Sequence, residues 1–166
     1  MKKNDWIVIG SLFVFGLLLF FGFKLAESIK STGNVYAKVF YQDTLVLMID
    51  LNSDEYTIYN TEYANQIDVG RASEGIFYVP GTVTTDMSDL YAEDSYALAH
   101  QLKGIKLQVL DGKISVVYQE SPRDLCELQP PTSSSLEPLV CLPNELVINV
   151  YTNLTSDEFI PDAILE

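Results

Sequence analysis

Two cysteines, Cys126 and Cys141, stand with fourteen residues between them. In oxidising surroundings they would close a loop worth about 3 kcal/mol in the chain-entropy account of cross-links. Two buried, reduced thiols are the alternative, and a metal site lacks ligands because no histidine neighbours the pair. The single histidine, His100, falls near the C-terminal end of a predicted helix, where a cationic ring suits the helix dipole. Thr132, Ser133, Ser134 and Ser135 offer hydroxyl nucleophiles, but no recognisable base motif accompanies them. Asp86, Asp89, Glu93 and Asp94 form the densest acidic cluster. They lack the alternating-aspartate loop and terminal glutamate of a calcium site, and read better as a solvated helix N-terminus. No glycine-rich phosphate loop is present, and the ten tyrosines read as cross-strand packing more readily than as a stacking platform for a ring ligand. No catalytic residue, metal ligand or cofactor site is therefore expected.

The elements that must position these residues start with an uncharged run of 18 residues, Trp6 to Phe23, closed by Lys24. As a helix it would reach roughly 27 Å, close to the hydrocarbon thickness of a bilayer. Trp6 and Lys24 sit where amphipathic side chains settle at the two interfaces. A cleaved signal peptide is the competing reading, but its apolar region is usually shorter. Residues 1–30 are expected to be a cytoplasmic tail and a transmembrane anchor. Lys2 and Lys3 on one flank, against Lys24, Lys30 and Glu27 on the other, lean toward a cytoplasmic N-terminus with the remainder outside the membrane.

That remainder is acidic. Residues 31–166 hold 21 of the 23 Asp and Glu but only six of the ten Lys and Arg, a local balance of −15. Nucleic acid is excluded as a partner, because a basic footprint is what phosphate backbones require.

Alternation dominates the pattern of this part. "VYAKVFY" and "TLVLMIDL" flank Gln42-Asp43 and read as a hairpin, and "EYTIYN" follows as a third strand. "GIFYVPG" is a strand cut by Pro80-Gly81. "SDLYAEDSYALAHQLKG" is expected to be one helix, with Ser88 at its N-cap and Gly104 as its stop. "IKLQVL" and "KISVVYQ" pair around Asp111-Gly112, a strong hairpin signal. A proline- and serine-rich loop leads into a last strand over 145–151, and residues 153–166 form an acidic tail.

"VLDGKISVVYQESPRDLC" followed by "VCLPNELVINV" resembles the stand-alone, membrane-anchored proteins that carry the NusG domain II. The likeness lies in Asp111, Gly112 and Lys113, in Ser121, Pro122 and Asp124 ahead of Cys126, and in Cys141-Leu142-Pro143-Asn144 before the final strand. The spacing of the cysteines and the opening hairpin "AKVFYQDTLVLMIDL" are similar too. Many relatives carry Cys where Ser121 stands and a Gly-rich turn where "QPPTSSS" stands. Residues 60–104 find no counterpart and are expected to be an atypical, helix-bearing insert in a domain spanning 31–152.

The resemblance implies a small antiparallel β barrel or sandwich outside the cytoplasm, here with one inserted helix. The expected function is that of a non-enzymatic binding or scaffold domain for an envelope protein, tethered to the cell membrane. The alternative is an accessory of a membrane electron-transfer or flavin-handling system, which rests on the company such proteins keep.

Overall fold

The computed structural model describes residues 10–22, 34–53, 55–123 and 125–152. The chain divides into two compact units, Met1–Gly33 and Asn34–Glu166. Within the first, residues 10–22 form a helix (α1) whose described residues are all exposed. Among the described residues no helix is long and apolar enough to cross a membrane. The expected ends of the anchor, Trp6 and Phe23, lie outside the described residues, as do Asp124 and the acidic tail.

The second unit is mainly β. Strands β1 (Val35–Tyr41), β2 (Thr44–Asp50), β3 (Tyr56–Ile58), β7 (Leu139–Cys141) and β8 (Leu146–Thr152) form a five-stranded sheet in the order β3-β2-β1-β8-β7. Strands β4 (Ile76–Val79), β5 (Ile105–Leu110) and β6 (Lys113–Tyr118) form a three-stranded sheet in the order β4-β5-β6. All pairings are antiparallel. Alternating residues of β1, β2 and β8 (Val39, Ile49, Ile148) share one buried cluster with Phe77, Leu107, Ile114 and Val116 of the smaller sheet. Two inner faces interdigitating in this way make a small β sandwich.

Strand β4 shows why alternation disappears there. All four of its residues are buried. Phe77 and Val79 join the inter-sheet core, whereas Ile76 and Tyr78 pack with Met87, Leu90 and Ala97 in a second cluster. Two short helices, α2 (Ser88–Glu93) and α3 (Ser95–His100), supply that second cluster. Residues 60–104 thus contribute a strand to the smaller sheet and the helical layer that covers its outer face.

The single helix expected over this stretch is instead two. The break falls at Asp94, whose extended backbone (φ −126°, ψ 97°) ends α2 and whose carboxylate accepts from the Tyr96 and Ala97 N–H groups to cap α3. Ser88 is the first residue of α2 and not its cap; its N–H donates to Asp86 Oδ1 at 2.9 Å. The second helix closes at Gln101 in the left-handed region (φ 52°), before Gly104 is reached.

Both sequence-predicted hairpins form. Asp111 and Gly112 have φ of 52° and 71°, the pair of left-handed conformations that a two-residue hairpin turn demands and that Gly adopts freely. Gln42 and Asp43 (φ 48° and 61°) make the same kind of turn without a glycine. Gln42 is held by its own contacts, accepting from Tyr63 Oη at 2.7 Å. Asp43→Gly is therefore expected to stabilise the domain by about 0.5 kcal/mol, raising the midpoint of a thermal melt by roughly 2 °C.

Candidate functional site

The motif residues separate into two groups. Asp111, Gly112 and Lys113 lie at one end of β6, where they make the hairpin turn. Ser121, Pro122, Cys141, Leu142 and Pro143 converge beyond the other end, on the walls of one groove.

Local bonding builds that end of the molecule. After β6 the chain turns at residues 125–128, and Cys126 is bonded to Cys141, the last residue of β7, with a Cα–Cα distance of 5.3 Å. Both cysteines are buried. Three residues on, Gln129 lays its carboxamide along the β7 edge: Nε2 donates to Val140 O at 2.9 Å, and Val140 N donates to Oε1 at 3.1 Å. A side chain here fills the place of a further strand and occupies an otherwise open edge. Thr132 then exchanges two backbone hydrogen bonds with Ile114 of β6, each of 2.9 Å. The loop thus fastens to the edges of both sheets, and Thr132, a hydroxyl weighed above as a nucleophile, is buried as part of that fastening. Replacing Cys126 and Cys141 together by Ser should lower the unfolding free energy by about 3 kcal/mol, measured by urea titration, with the same loss when the native protein is reduced.

Asn144, the last motif residue, is fully buried in a single turn of 3-10 helix between β7 and β8. Its Nδ2 donates to Gln119 Oε1 (3.0 Å) and to Glu120 O (2.9 Å), and its Oδ1 accepts from Val83 N at 2.9 Å. It joins three segments. A Cβ on Gly81 would stand 2.8 Å from that Oδ1, so the close approach requires glycine there.

The groove framed by these fastenings holds about 300 Å³, enough for one or two apolar side chains and at the small end of ligand sites. Leu125 (61 % exposed), Val140 (37 %) and Leu142 (78 %) line it and leave much apolar surface in solvent. Adjoining it, and sharing Gln119 and Ser121, is a trough of about 420 Å³ between α2 and the end of β6. Asp86, Asp89, Glu93, Glu120 and Glu127 line the trough, with no Lys or Arg among its walls. Three of these carboxylates are fixed in place. Glu120 accepts from Thr85 Oγ1 (2.6 Å) and Asp86 N (2.8 Å), Glu127 accepts from Gln119 N (2.7 Å), and Asp86 accepts from Ser88 N. The bonds from Ser88 hold the Asp86 carboxyl below its ordinary pKa. Burial, and then the neighbouring Glu120 carboxylate, push the Tyr118 hydroxyl up.

Of the acidic cluster seen in the sequence, Asp86, Asp89 and Glu93 line this trough, but Asp94 does not belong with them. It is buried beneath the helices against Lys106 Nζ (2.5 Å), Tyr78 Oη (2.7 Å) and Arg71 Nη1 (3.2 Å). The solvated reading fails for this one residue because its cationic partners come from β5 and from the segment before β4. Among the described residues no group of three or more His, Cys, Asp or Glu is placed to hold a metal ion. His100 ends α3, with Nδ1 2.9 Å from Tyr96 O and its ring 4.0 Å from that of Tyr96. Of the tyrosines, Tyr41 and Tyr78 are buried in the two cores and Tyr36 is buried outside them, while Tyr56 and Tyr151 are exposed on separate strands.

Two antiparallel sheets, a covering layer of short helices and one disulfide define a small, cross-linked β-sandwich protein. No protein-family profile matches the chain, and no curated protein does. Two solved structures are similar to it. One is a DUF1312 family protein from Ruminococcus gnavus, 18 % identical with a TM-score of 0.34, the match covering 70 % of this chain and 96 % of that one. The other is the Lin0431 protein from Listeria innocua, 14 % identical with a TM-score of 0.45, covering 81 % of this chain and 87 % of that one.

Proposed function

We propose that this protein is a membrane-tethered, extracytoplasmic binding domain of the NusG domain II kind, which engages another envelope protein and catalyses no reaction. The observation that carries the reading is the open groove with exposed Leu125 and Leu142 on a scaffold stapled by Cys126–Cys141 and by Gln129. Exposed aliphatic walls around a fixed concavity suit contact with a partner's side chain. The anchor in this reading is the apolar run from Trp6 to Phe23, whose residues 10–22 are helical with their side chains exposed. The bonded sulfurs suit an oxidising compartment, which agrees with the cytoplasmic N-terminus favoured by Lys2 and Lys3.

Site-specific photocrosslinking in intact envelopes tests this. A crosslinking side chain at position 142 should yield one defined adduct, and the same group at position 110, an exposed leucine at the far end of β5, should not. Equal adduct patterns from both positions would remove the reading.

A further inference from the structure

The groove's neighbour says what chemistry the partner must have. We infer that the groove and trough together receive an extended, basic segment of a partner protein, one that inserts one or two aliphatic side chains beside the disulfide and lays adjacent Lys or Arg across the carboxylates. This rests on the binding-domain reading above and adds the partner's chemical class to it.

The two concavities adjoin, with Gln119 and Ser121 in the lining of both. A single segment crossing from one to the other therefore meets aliphatic walls and then five carboxylates in a lining that holds no Lys or Arg. One basic residue, Arg123, lines the groove itself. The hydrogen bonds to Glu120 and Glu127 keep two of the carboxylates in position before a ligand arrives, so little ordering is needed on binding.

Charge excludes the other occupants. A second copy would bring another stretch 31–166 of local balance −15 against this trough. The chain's own residues 153–166 carry four acids and no base. An anionic lipid surface would meet the same repulsion. A cationic segment gains from the field that repels these three.

The test uses the full chain in zwitterionic nanodiscs, with empty discs subtracted, and three fluorescein-labelled octapeptides read by anisotropy. The peptides alternate leucine with lysine, leucine with glutamate, and serine with lysine. The leucine–lysine peptide should bind at least about tenfold more tightly than either of the others. Leu142→Ser should weaken it about tenfold. Asp89→Asn with Glu93→Gln should weaken it about fivefold and flatten its salt dependence. Both variants change exposed residues, and circular dichroism will report that they remain folded. Equal binding of the leucine–glutamate peptide, no binding of any peptide at about 1 mM, or indifference to both variants would overturn the inference. If the crosslinker at position 142 still gives its defined adduct in that event, the binding-domain reading survives and only the basic specificity is lost. If the adduct is also missing, both fall.

Discussion

Asp94→Ala is expected to cost the domain about 3–5 kcal/mol, the range for removing one partner of a buried charge pair, and to lower its melting midpoint by roughly 12–20 °C. The carboxylate does three things at once. It caps α3 through the N–H groups of Tyr96 and Ala97, accepts from the buried Tyr78 hydroxyl, and neutralises Lys106 and Arg71 under the helical layer. The substitution takes this acceptor from the Lys106 ammonium and the Tyr78 hydroxyl, while Arg71 keeps its pair with Glu74 at 2.6 Å. Asp94→Asn should restore part of the cap but not the charge, and so fall between wild type and Ala. Burial alone would raise the pKa of this carboxyl. The hydrogen bonds from Lys106, Tyr78 and Ala97 outweigh that and hold it well below the usual range. Because the folded-state pKa is depressed, the contribution is full above the unfolded value of about 3.9 and is lost as pH falls through the folded value. Acid titration followed by urea unfolding should show stability declining below about pH 4 in the wild type, with a shallower decline in Asp94→Asn.

Asn144→Ala should be of comparable size, about 3–5 kcal/mol, because it leaves one buried and two half-buried groups without this partner and opens a void at a fully buried position. The groups are the Glu120 carbonyl, the Gln119 carboxamide and the Val83 N–H. Its consequence reaches the site as well as the core. Gln119 forms the shared wall of groove and trough, and Glu120 sits in the trough. Loss of the clamp should therefore reduce peptide affinity even under conditions where the variant stays folded. Asn144→Asp is the sharper probe. It keeps shape and the bond from Val83, yet turns two donated bonds into oxygen–oxygen contacts, and should be nearly as damaging by urea titration.

Both residues mark where the sequence was legible and where it was not. Asn144 could be singled out from its place after Cys141-Leu142-Pro143, but its role as a clamp depends on Val83, Gln119 and Glu120, segments distant in sequence that only the folded chain brings together. Asp94 looked like one of four solvated acids. No local signal marked it, because Lys106 alternates with Ile105 and Leu107, as Gln108 does with Leu107 and Val109, in the pattern of a strand with one polar face. The helix break follows from the same residue. Periodicity ran on through position 94; the cap to Tyr96 and Ala97 is local, but the charge pairing with Lys106 and Arg71 that fixes the carboxylate there is tertiary. Strand β7 was also missed. Three residues carry no readable alternation, and it exists because β8 offers an edge through Leu139–Ile148, Val140–Val147 and Cys141–Leu146 pairings.

By itself the sequence determined the β class, the hairpin turns at Gln42-Asp43 and Asp111-Gly112, and the strongly acidic balance of the larger unit. Each of these is a local property, written in alternation, turn chemistry and composition over a few neighbouring residues. Tertiary structure alone decided that residues 60–104 supply a strand and a helical layer, that Asp94 is buried among cations, and that the cysteine loop and the helices leave a groove beside a trough. Those features depend on which distant segments share a face or an edge. The energies that choose among such pairings are sums over contacts that no single stretch of chain contains.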